Sequence, residues 1–487
     1  MENGCGILST AQKVAKNTVF LLSGNLLFRL ISLIVTIYLA KYLGVEDFGK
    51  YNFVFAYLAF FGILTDLGLG DILVREMSRD SEKMSLIVGN AYIIKLLLSV
   101  LAIFLAVLLV SFLGFPADTT TYIYVASTVL LFQSFSDTSK TVFQATLRMK
   151  YEIFAKLISK LVFAVMIFYL IAEHGSLLQI LYIYILSEFV RTLLNYVLSK
   201  KVTRTLYDVD SKLWKFLFKE SMPIALSGVF LIIYHRIDVL MLSMMIGGHQ
   251  GDIAVGLYSA AYKLSEPLGV VSYALIMSLF PVMSKSFKIS KNSLIRSYEM
   301  GYKFTILLML PIAVGTTLLS DKIILLVYNE SYTGSITALQ ILVWAIFIGS
   351  VNYLMIILLT SMDKQRLNTL NMGFCVVANA VMNYILIPKY SYNGASFATV
   401  VTELILFLLT FYFVSKELKY ISLFNMLFKA IVCSLLMGIP IYYLSYHTNF
   451  NILIICIIGV SIYSVALLRL RLISTEDKVI IRNILKI

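Results

Sequence analysis

Charged side chains interrupt two long apolar segments between Pro223 and Ser284. Each segment is long enough to form a helix that crosses a bilayer, which needs roughly 20 apolar residues. The ionisable side chains within them are His235, Arg236, Asp238, Lys263 and Glu266. A charge at the middle of a membrane helix costs about 2.5–3.5 kcal/mol on insertion scales. We therefore predict that these side chains line a hydrated cavity, where they would bind a polar or charged solute.

Short sequence patterns repeat between the two halves of the chain. Three pairs of similar tripeptides lie 204, 207 and 215 residues apart: Leu22–Gly24 with Leu226–Gly228, Gly49–Tyr51 with Gly256–Tyr258, and Ser187–Phe189 with Thr402–Leu404. Internal repeats in transporters place the substrate site near the bilayer midplane, at the interface between the repeats. We therefore expect two similar helical bundles.

The composition excludes a soluble globular protein. Hydrophobic residues make up 60% of the 487 residues, charged residues only 14%, and the mean hydropathy is +0.88. Such a chain is a membrane protein with many spans. The four cysteines are scattered, with neither metal-ligand spacing nor a disulfide framework. No GxxxxGK[ST] loop occurs, so the chain encodes no direct use of ATP.

We predict an all-α polytopic membrane protein with fourteen transmembrane helices. The expected spans are 18–41, 51–72, 85–114, 121–144, 154–172, 177–198, 219–246, 255–283, 301–320, 336–360, 367–388, 394–415, 426–446 and 451–469. The loops after even-numbered spans hold most of the lysines and arginines, which places them and both termini in the cytoplasm. Loops 247–254 and 321–335 should then be external. This pattern explains the net charge of +13 without nucleic-acid binding. We expect the first span to be retained rather than cleaved.

The longest inner loop separates the two expected bundles. The predicted domains are an N-terminal six-helix bundle (1–198), a cytoplasmic linker (199–218) and a C-terminal six-helix bundle (219–415). Residues 416–487 should add two accessory spans and a basic cytoplasmic tail.

Three segments in register resemble one family of membrane proteins. They are LAKYLGVEDFGKYNFVFAYLAFFGILTDLGLGDILVRE, then RIDVLMLSMMIG with VGLYSAAYKLSEPL and LFP, and then MDKQRLNTLNMGFCVVANAVMNYILIPKYSYNGASFATVVTELI. Together they resemble the polysaccharide-biosynthesis, or O-antigen-flippase, family of the multidrug/oligosaccharidyl-lipid/polysaccharide exporter superfamily. The resemblance covers roughly residues 15–415.

The resemblance implies a flippase and not an enzyme. It would carry a polyprenyl-(pyro)phosphate-linked oligosaccharide across the cytoplasmic membrane by alternating access of two bundles around a cationic central cavity. No cofactor or metal is implied, and a coupling ion, if the protein uses one, would be Na⁺ or H⁺. The expected partners are the lipid-linked oligosaccharide and membrane lipids, and a glycan polymerase or transferase is a further candidate.

Four residues form the predicted substrate-binding set. Arg29 and Arg236 lie five and eight residues after the repeated glycine, a difference close to one helical turn. On the flippase hypothesis their guanidinium groups would bind the pyrophosphate of the carrier, and the alternative is a structural ion pair for each. Lys263 and Glu266 are three residues apart on one helix, so they can contact each other. The pair would either bind substrate or close on itself.

Six further residues are candidates for gating or ion coupling: Asp66, Asp71, Arg75, Asp238, Glu188 and Glu403. The first three should form a salt-bridge cluster at the inner end of span two. Glu188 and Glu403 belong to the sequence repeat, and interhelical hydrogen bonding is the alternative to a proton or cation site. Lys95 would extend toward the inner membrane surface.

Three other functions remain open. One is a pore or structural membrane protein, which would not need duplicated halves with charges in the middle of its spans. A cation-coupled multidrug antiporter of the same superfamily would share the architecture, but it would need an acidic, aromatic cavity rather than one lined by arginine and lysine. A membrane-embedded sugar transferase or polymerase would need a sizeable external loop with carboxylates, whereas the predicted outer loops are short.

Overall fold

The computed structural model describes the backbone of residues 2–418, 424–448 and 450–472, and the side chains of 23–418, 425–448 and 450–472. Within these ranges the chain forms fifteen α-helices and no strand. The helices are α1 Glu2–Asp66, α2 Leu69–Arg79, α3 Met84–Phe112, α4 Ala117–Ser127, α5 Val129–Ala145, α6 Lys150–Ala172, α7 Leu177–Lys200, α8 Ser211–Ile246, α9 Gly248–Ser265, α10 Val270–Ile289, α11 Lys291–Val327, α12 Ser335–Ser361, α13 Gln365–Leu418, α14 Phe424–His447 and α15 Ile452–Arg469. The predicted all-α fold is confirmed.

Long apolar helices dominate the fold, as a membrane protein requires. Among the described residues, 11 helical segments are long and apolar enough to cross a bilayer. Two long helices contain internal breaks, at Gly44 (φ 68°) in α1 and at Ser391 (φ 52°) in α13. Gly44 adopts a positive φ with extended ψ, a region that only glycine enters readily. The number of fourteen crossings stays a prediction.

The chain divides into two compact units, residues 1–256 and 257–487. In the first unit, α1 packs along α3, α6 and α8. One of its core clusters joins Val35 and Leu39 of α1 to Phe163 and Ile167 of α6 and Ile180 of α7. The domain boundaries predicted from the sequence repeat stay a prediction.

In the second unit, α12 lies between α11 and α13, and α14 and α15 pack on α11. Tyr463 of α15 donates a hydrogen bond to the carbonyl of Leu307 of α11 (2.8 Å). Cys433 and Met437 of α14 belong to the same buried cluster as Leu307. The two C-terminal helices are therefore part of the core of this unit.

The predicted second span is not one continuous helix. Leu67 (φ 44°) and Gly68 (φ 73°) separate α1 from α2. Gly68 lies tightly against α8, since a β-carbon there would be 2.8 Å from the carbonyl oxygen of Ser221. This break turns the chain between Asp66 and Asp71.

The segment before α8 is fixed to α3 by Asn90, which is fully buried. Its amide nitrogen donates to the carbonyl of Asp208 (2.8 Å). Its amide oxygen accepts bonds from the Asp210 backbone (3.0 Å) and the Trp214 indole (2.7 Å). The end of the predicted linker is thus attached to the first unit and positions α8 beside α1.

Candidate functional site

A cavity of about 380 Å³ opens in the first unit between α1, α2, α3, α5 and α8. Its wall contains three carboxylates and two amines: Asp66, Asp71, Asp137, Lys95 and Lys140. The hydrogen-bonding side chains of Thr141 and Gln144 also line it. Such a wall can bind a polar, hydroxyl-rich or charged solute.

Lys95 and Asp66 form an ion pair on the cavity wall. The Lys95 ammonium donates to Asp66 Oδ1 at 2.6 Å, and the Lys95 side chain is only 1% exposed while that of Asp66 is 42% exposed. The expected extension of Lys95 toward the inner membrane surface is therefore wrong. A carboxylate on the neighbouring helix neutralises Lys95 and makes that extension unnecessary.

Arg191 of α7 is the centre of a larger ionic network beside the cavity. Its guanidinium donates to Glu152 Oε1 of α6 (2.7 Å) and to Glu188 Oε2 of its own helix (3.5 Å). Asp137 of α5 lies 3.9 Å away and also lines the cavity. Asn195 donates to the other oxygen of Glu152 (2.6 Å). Three helices are thus joined by one arginine.

The expected cluster of Asp66, Asp71 and Arg75 does not form. Arg75 instead contacts Glu76 (2.8 Å) and Glu220 of α8 (3.0 Å). Asp71 is exposed and has no ion pair in the described structure. The break at 67–68 is the physical reason, because it ends α1 directly after Asp66 and carries the other two residues onto α2.

The expected contact between Lys263 and Glu266 does not form either. Helix α9 ends at Ser265, and Glu266 begins a short 3₁₀ turn that continues with Pro267. Glu266 is exposed and makes no ion pair in the part of the chain that the structure describes. The spacing rule for helices fails here because the two residues do not share one helix.

Asp238 and Glu403 are placed in different surroundings. Asp238 is buried on α8 (4% exposed). Glu403 of α13 accepts a hydrogen bond from the amide of Asn352 on α12 (2.6 Å), and the same amide donates to its backbone carbonyl (2.9 Å). Glu403 thus takes part in interhelical hydrogen bonding.

Several cations of the first unit have no ion pair among the described residues. Four of them, within or beside the predicted spans, are Arg29, Lys140, Lys156 and Arg236. Lys156 of α6 donates only to the neutral amide of Asn25 (3.2 Å) and lies over the ring of Phe28 at 4.1 Å. Lys156 is also within electrostatic range of Arg29 and Lys140. We name these four residues the unpaired cations.

Arg236 follows the cavity wall along α8. Gly228 and Ile232 line the cavity, and Arg236 stands a further four residues along the same helix. Residues four apart share one face of a helix, so Arg236 extends the face that lines the cavity by one turn. It is half-buried, whereas Arg29 on α1 is exposed.

Sequence reasoning missed Lys140, Lys156 and Arg191, although a signal for each was present. All three lie inside predicted spans, where a cation is costly and therefore informative. Glu152 lies two residues before a predicted span, which hid its role as the partner of Arg191.

Two comparisons of sequence define the class. The family model described as "Polysaccharide biosynthesis protein" matches residues 14–287, and the MatE model matches residues 223–385. The long apolar helices identify a multi-pass membrane protein. Because the first match covers more than half of the chain, the chain belongs to the polysaccharide biosynthesis protein family.

Similar curated proteins are two uncharacterised membrane proteins of Methanocaldococcus jannaschii. The first is 22% identical over 341 residues, which is 68% of this chain and 66% of that protein. The second is 23% identical over 311 residues, which is 61% of this chain and 71% of that protein. The match thus spans just under two thirds of the length of the first relative.

Solved structures show the same fold. A structure of the lipid II flippase MurJ in an inward closed conformation has a TM-score of 0.78 at 16% identity, covering 92% of this chain and 98% of that one. An inward-facing multidrug resistance MATE family transporter has a TM-score of 0.68 at 15% identity, covering 80% and 94%. At these identities the likeness concerns the fold alone.

Proposed function

We propose that the protein translocates a lipid-linked oligosaccharide whose carrier bears a phosphate or pyrophosphate group. The single observation that carries this proposal is the set of unpaired cations in the first unit. The other cations described above, Lys95, Arg191 and Arg75, each contact a carboxylate. An anionic ligand would supply the missing partners.

The membrane interior makes charge neutralisation necessary. A carrier pyrophosphate brings at least two negative charges into a region of low dielectric constant, where unpaired charges are very costly. Cationic side chains that are already present and not bound to carboxylates can neutralise them. Arginine adds a planar, bidentate fork that matches phosphate oxygens. Arg29 and Arg236 would bind the phosphates, and Lys140 and Lys156 would add positive charge.

The sugar part of the substrate would occupy the polar cavity. Asp66, Gln144 and Thr141 offer acceptors and donors for hydroxyl groups on a wall that also carries Lys140. The fold shared with a lipid II flippase supports a lipid-linked substrate class. The lipid chain needs only apolar surroundings.

Coupling to an ion gradient would involve the network around Arg191. Three carboxylates face one guanidinium there, so uptake of a proton by Glu188 would remove excess negative charge. Asp137 lies on the cavity wall and is half-exposed, which gives the network access to the cavity. We therefore favour H⁺ over Na⁺ as the coupling ion.

A second candidate function is a cation-coupled multidrug antiporter, which the match of the MatE model to residues 223–385 favours. A drug cation would need carboxylates free to receive it. Of the cavity carboxylates, only Asp71 has no ion pair within the described ranges. The balance of unpaired charges therefore favours an anionic substrate.

The test is complementation of surface-glycan export in a flippase-deficient host. Arg29→Ala and Arg236→Ala should each abolish export while the protein remains in the membrane at wild-type amounts. Lysine at either position should restore export only in part, because it keeps the charge and loses the fork. Lys41→Ala is the matched control, since Lys41 is exposed and near the end of the first predicted span. Wild-type export by the double alanine variant would overturn the proposal.

A further inference from the structure

The repeated glycines Gly49 and Gly256 lie at a close crossing of α1 and α9. A β-carbon at Gly49 would overlap the carbonyl oxygen of Asp252, and a β-carbon at Gly256 would overlap that of Val45. Val45 precedes Gly49 by four residues, and Asp252 precedes Gly256 by four. Each glycine therefore rests on the carbonyl one turn before the other. No larger residue fits either position unless the two helices separate.

Ion pairs cover this crossing. His249 Nδ1 of α9 lies 2.9 Å from Glu46 Oε2 of α1. Lys50 of α1 donates to Asp118 of α4 (2.7 Å) and lies 3.2 Å from Glu46. By the predicted topology these residues lie outside the spans, on the external side.

Asp252 is buried at the same crossing. It is 6% exposed, and its carboxyl group has no hydrogen bond or ion pair among the described residues. The charged groups that face it are Glu46 and Lys50 from α1, Asp118 from α4 and His249 from its own helix. Burial raises the pKa of the Asp252 carboxyl to about 6, from an ordinary value of 3.8.

We propose that the crossing of α1 and α9 is a latch at the external end of the first unit, and that low external pH favours its closed state. When the helices are together, Asp252 is buried and is best accommodated as a neutral carboxylic acid. When they separate, water reaches Asp252 and its charged form becomes favourable. The same separation breaks the contact between His249 and Glu46.

The direction in which pH shifts the latch follows from proton linkage. The closed latch binds the Asp252 proton more tightly than the open latch, so closure is favoured as pH falls through about 6. If opening restores the ordinary pKa of 3.8, the ratio of closed to open molecules rises about ten-fold between pH 7 and pH 5. This proposal does not depend on the identity of the transported substrate.

The test measures the latch directly by double electron–electron resonance. Spin labels are placed at Lys41→Cys of α1 and Gln250→Cys of α9, both exposed positions, after replacement of the four native cysteines by alanine. The full-length protein is studied in lipid nanodiscs without substrate at pH 5 and pH 7. We expect the ratio of the short-distance population to the long-distance population to be about ten-fold higher at pH 5 than at pH 7.

Three variants make the result specific. Asp252→Asn should lose the pH response and stay closed. Gly49→Ala should shift the distances to longer values at both pH values. The matched control is Gly62→Ala on the same helix, where a β-carbon would meet only Leu130 at 3.9 Å. A wild-type distribution identical at both pH values would overturn the latch, and so would a full pH response in Asp252→Asn. If Gly49→Ala fails to fold, the pH responses of the wild type and of Asp252→Asn still test the latch.

Discussion

Two cavities of nearly equal volume have opposite linings. The cavity of the first unit, about 380 Å³, is lined by five charged side chains, and that of the second unit, about 370 Å³, is lined by no Asp, Glu, Lys, Arg or His. The second cavity is formed by α11, α14 and α15, with Pro311, Met437 and Tyr463 among its residues. Volume alone therefore does not identify a substrate site. The charges of the first cavity can recognise a polar group, whereas the second cavity is suited only to hydrocarbon, such as part of a prenyl chain.

Breaking the ionic network of the first unit should have the largest effect on stability. Arg191→Met leaves Glu152 and Glu188 buried without their cation, which we expect to lower the free energy of unfolding by about 3–5 kcal/mol. Thermal unfolding in detergent measures the loss. Adding Glu152→Gln and Glu188→Gln should restore most of it, because no buried carboxylate is then left without its cation and Asp137 is half-exposed. An unchanged melting temperature in Arg191→Met would contradict the proposed role of the network.

Removing one unpaired cation should affect transport rather than folding. Lys140→Ala deletes a cavity-lining ammonium that has no carboxylate partner among the described residues. A hydrogen bond to a charged group contributes about 1.5–3 kcal/mol, so the transport rate at low substrate should fall roughly ten-fold or more. The melting temperature should stay within the error of the wild type. A large loss of stability with normal transport would show that Lys140 is structural.

The smallest effect is expected in the apolar cavity. Gly315 of α11 lines it, and a β-carbon there would meet only Met437 at 4.0 Å. Gly315→Ala should therefore be tolerated and stabilise the helix by about 0.5–1 kcal/mol. The matched control is Gly301→Ala on the same helix, where a β-carbon would lie 2.8 Å from Leu354 and 2.9 Å from Leu279. Equal changes in melting temperature for the two variants would refute the described difference in packing.

The sequence predicted the helical class and the family. Apolar runs and tripeptide repeats are local signals, so they survive without a structure. It did not predict the break at Leu67 and Gly68, which depends on the close approach of Gly68 to α8. Nor did it predict the pairing of Lys95 with Asp66 or of Arg191 with Glu152, because partners 29 and 39 residues apart are joined only by helix packing.

The central claim is that the unpaired cations bind the phosphate of a lipid carrier. The most direct measurement compares the binding of a prenyl pyrophosphate and of the matching prenol, which lacks the phosphates, to the purified full-length protein. We predict that the wild-type protein binds the pyrophosphate at least ten-fold more tightly. Arg29→Ala combined with Arg236→Ala should lose most of this preference while keeping the wild-type melting temperature. Retention of the full preference by this double variant would contradict the account.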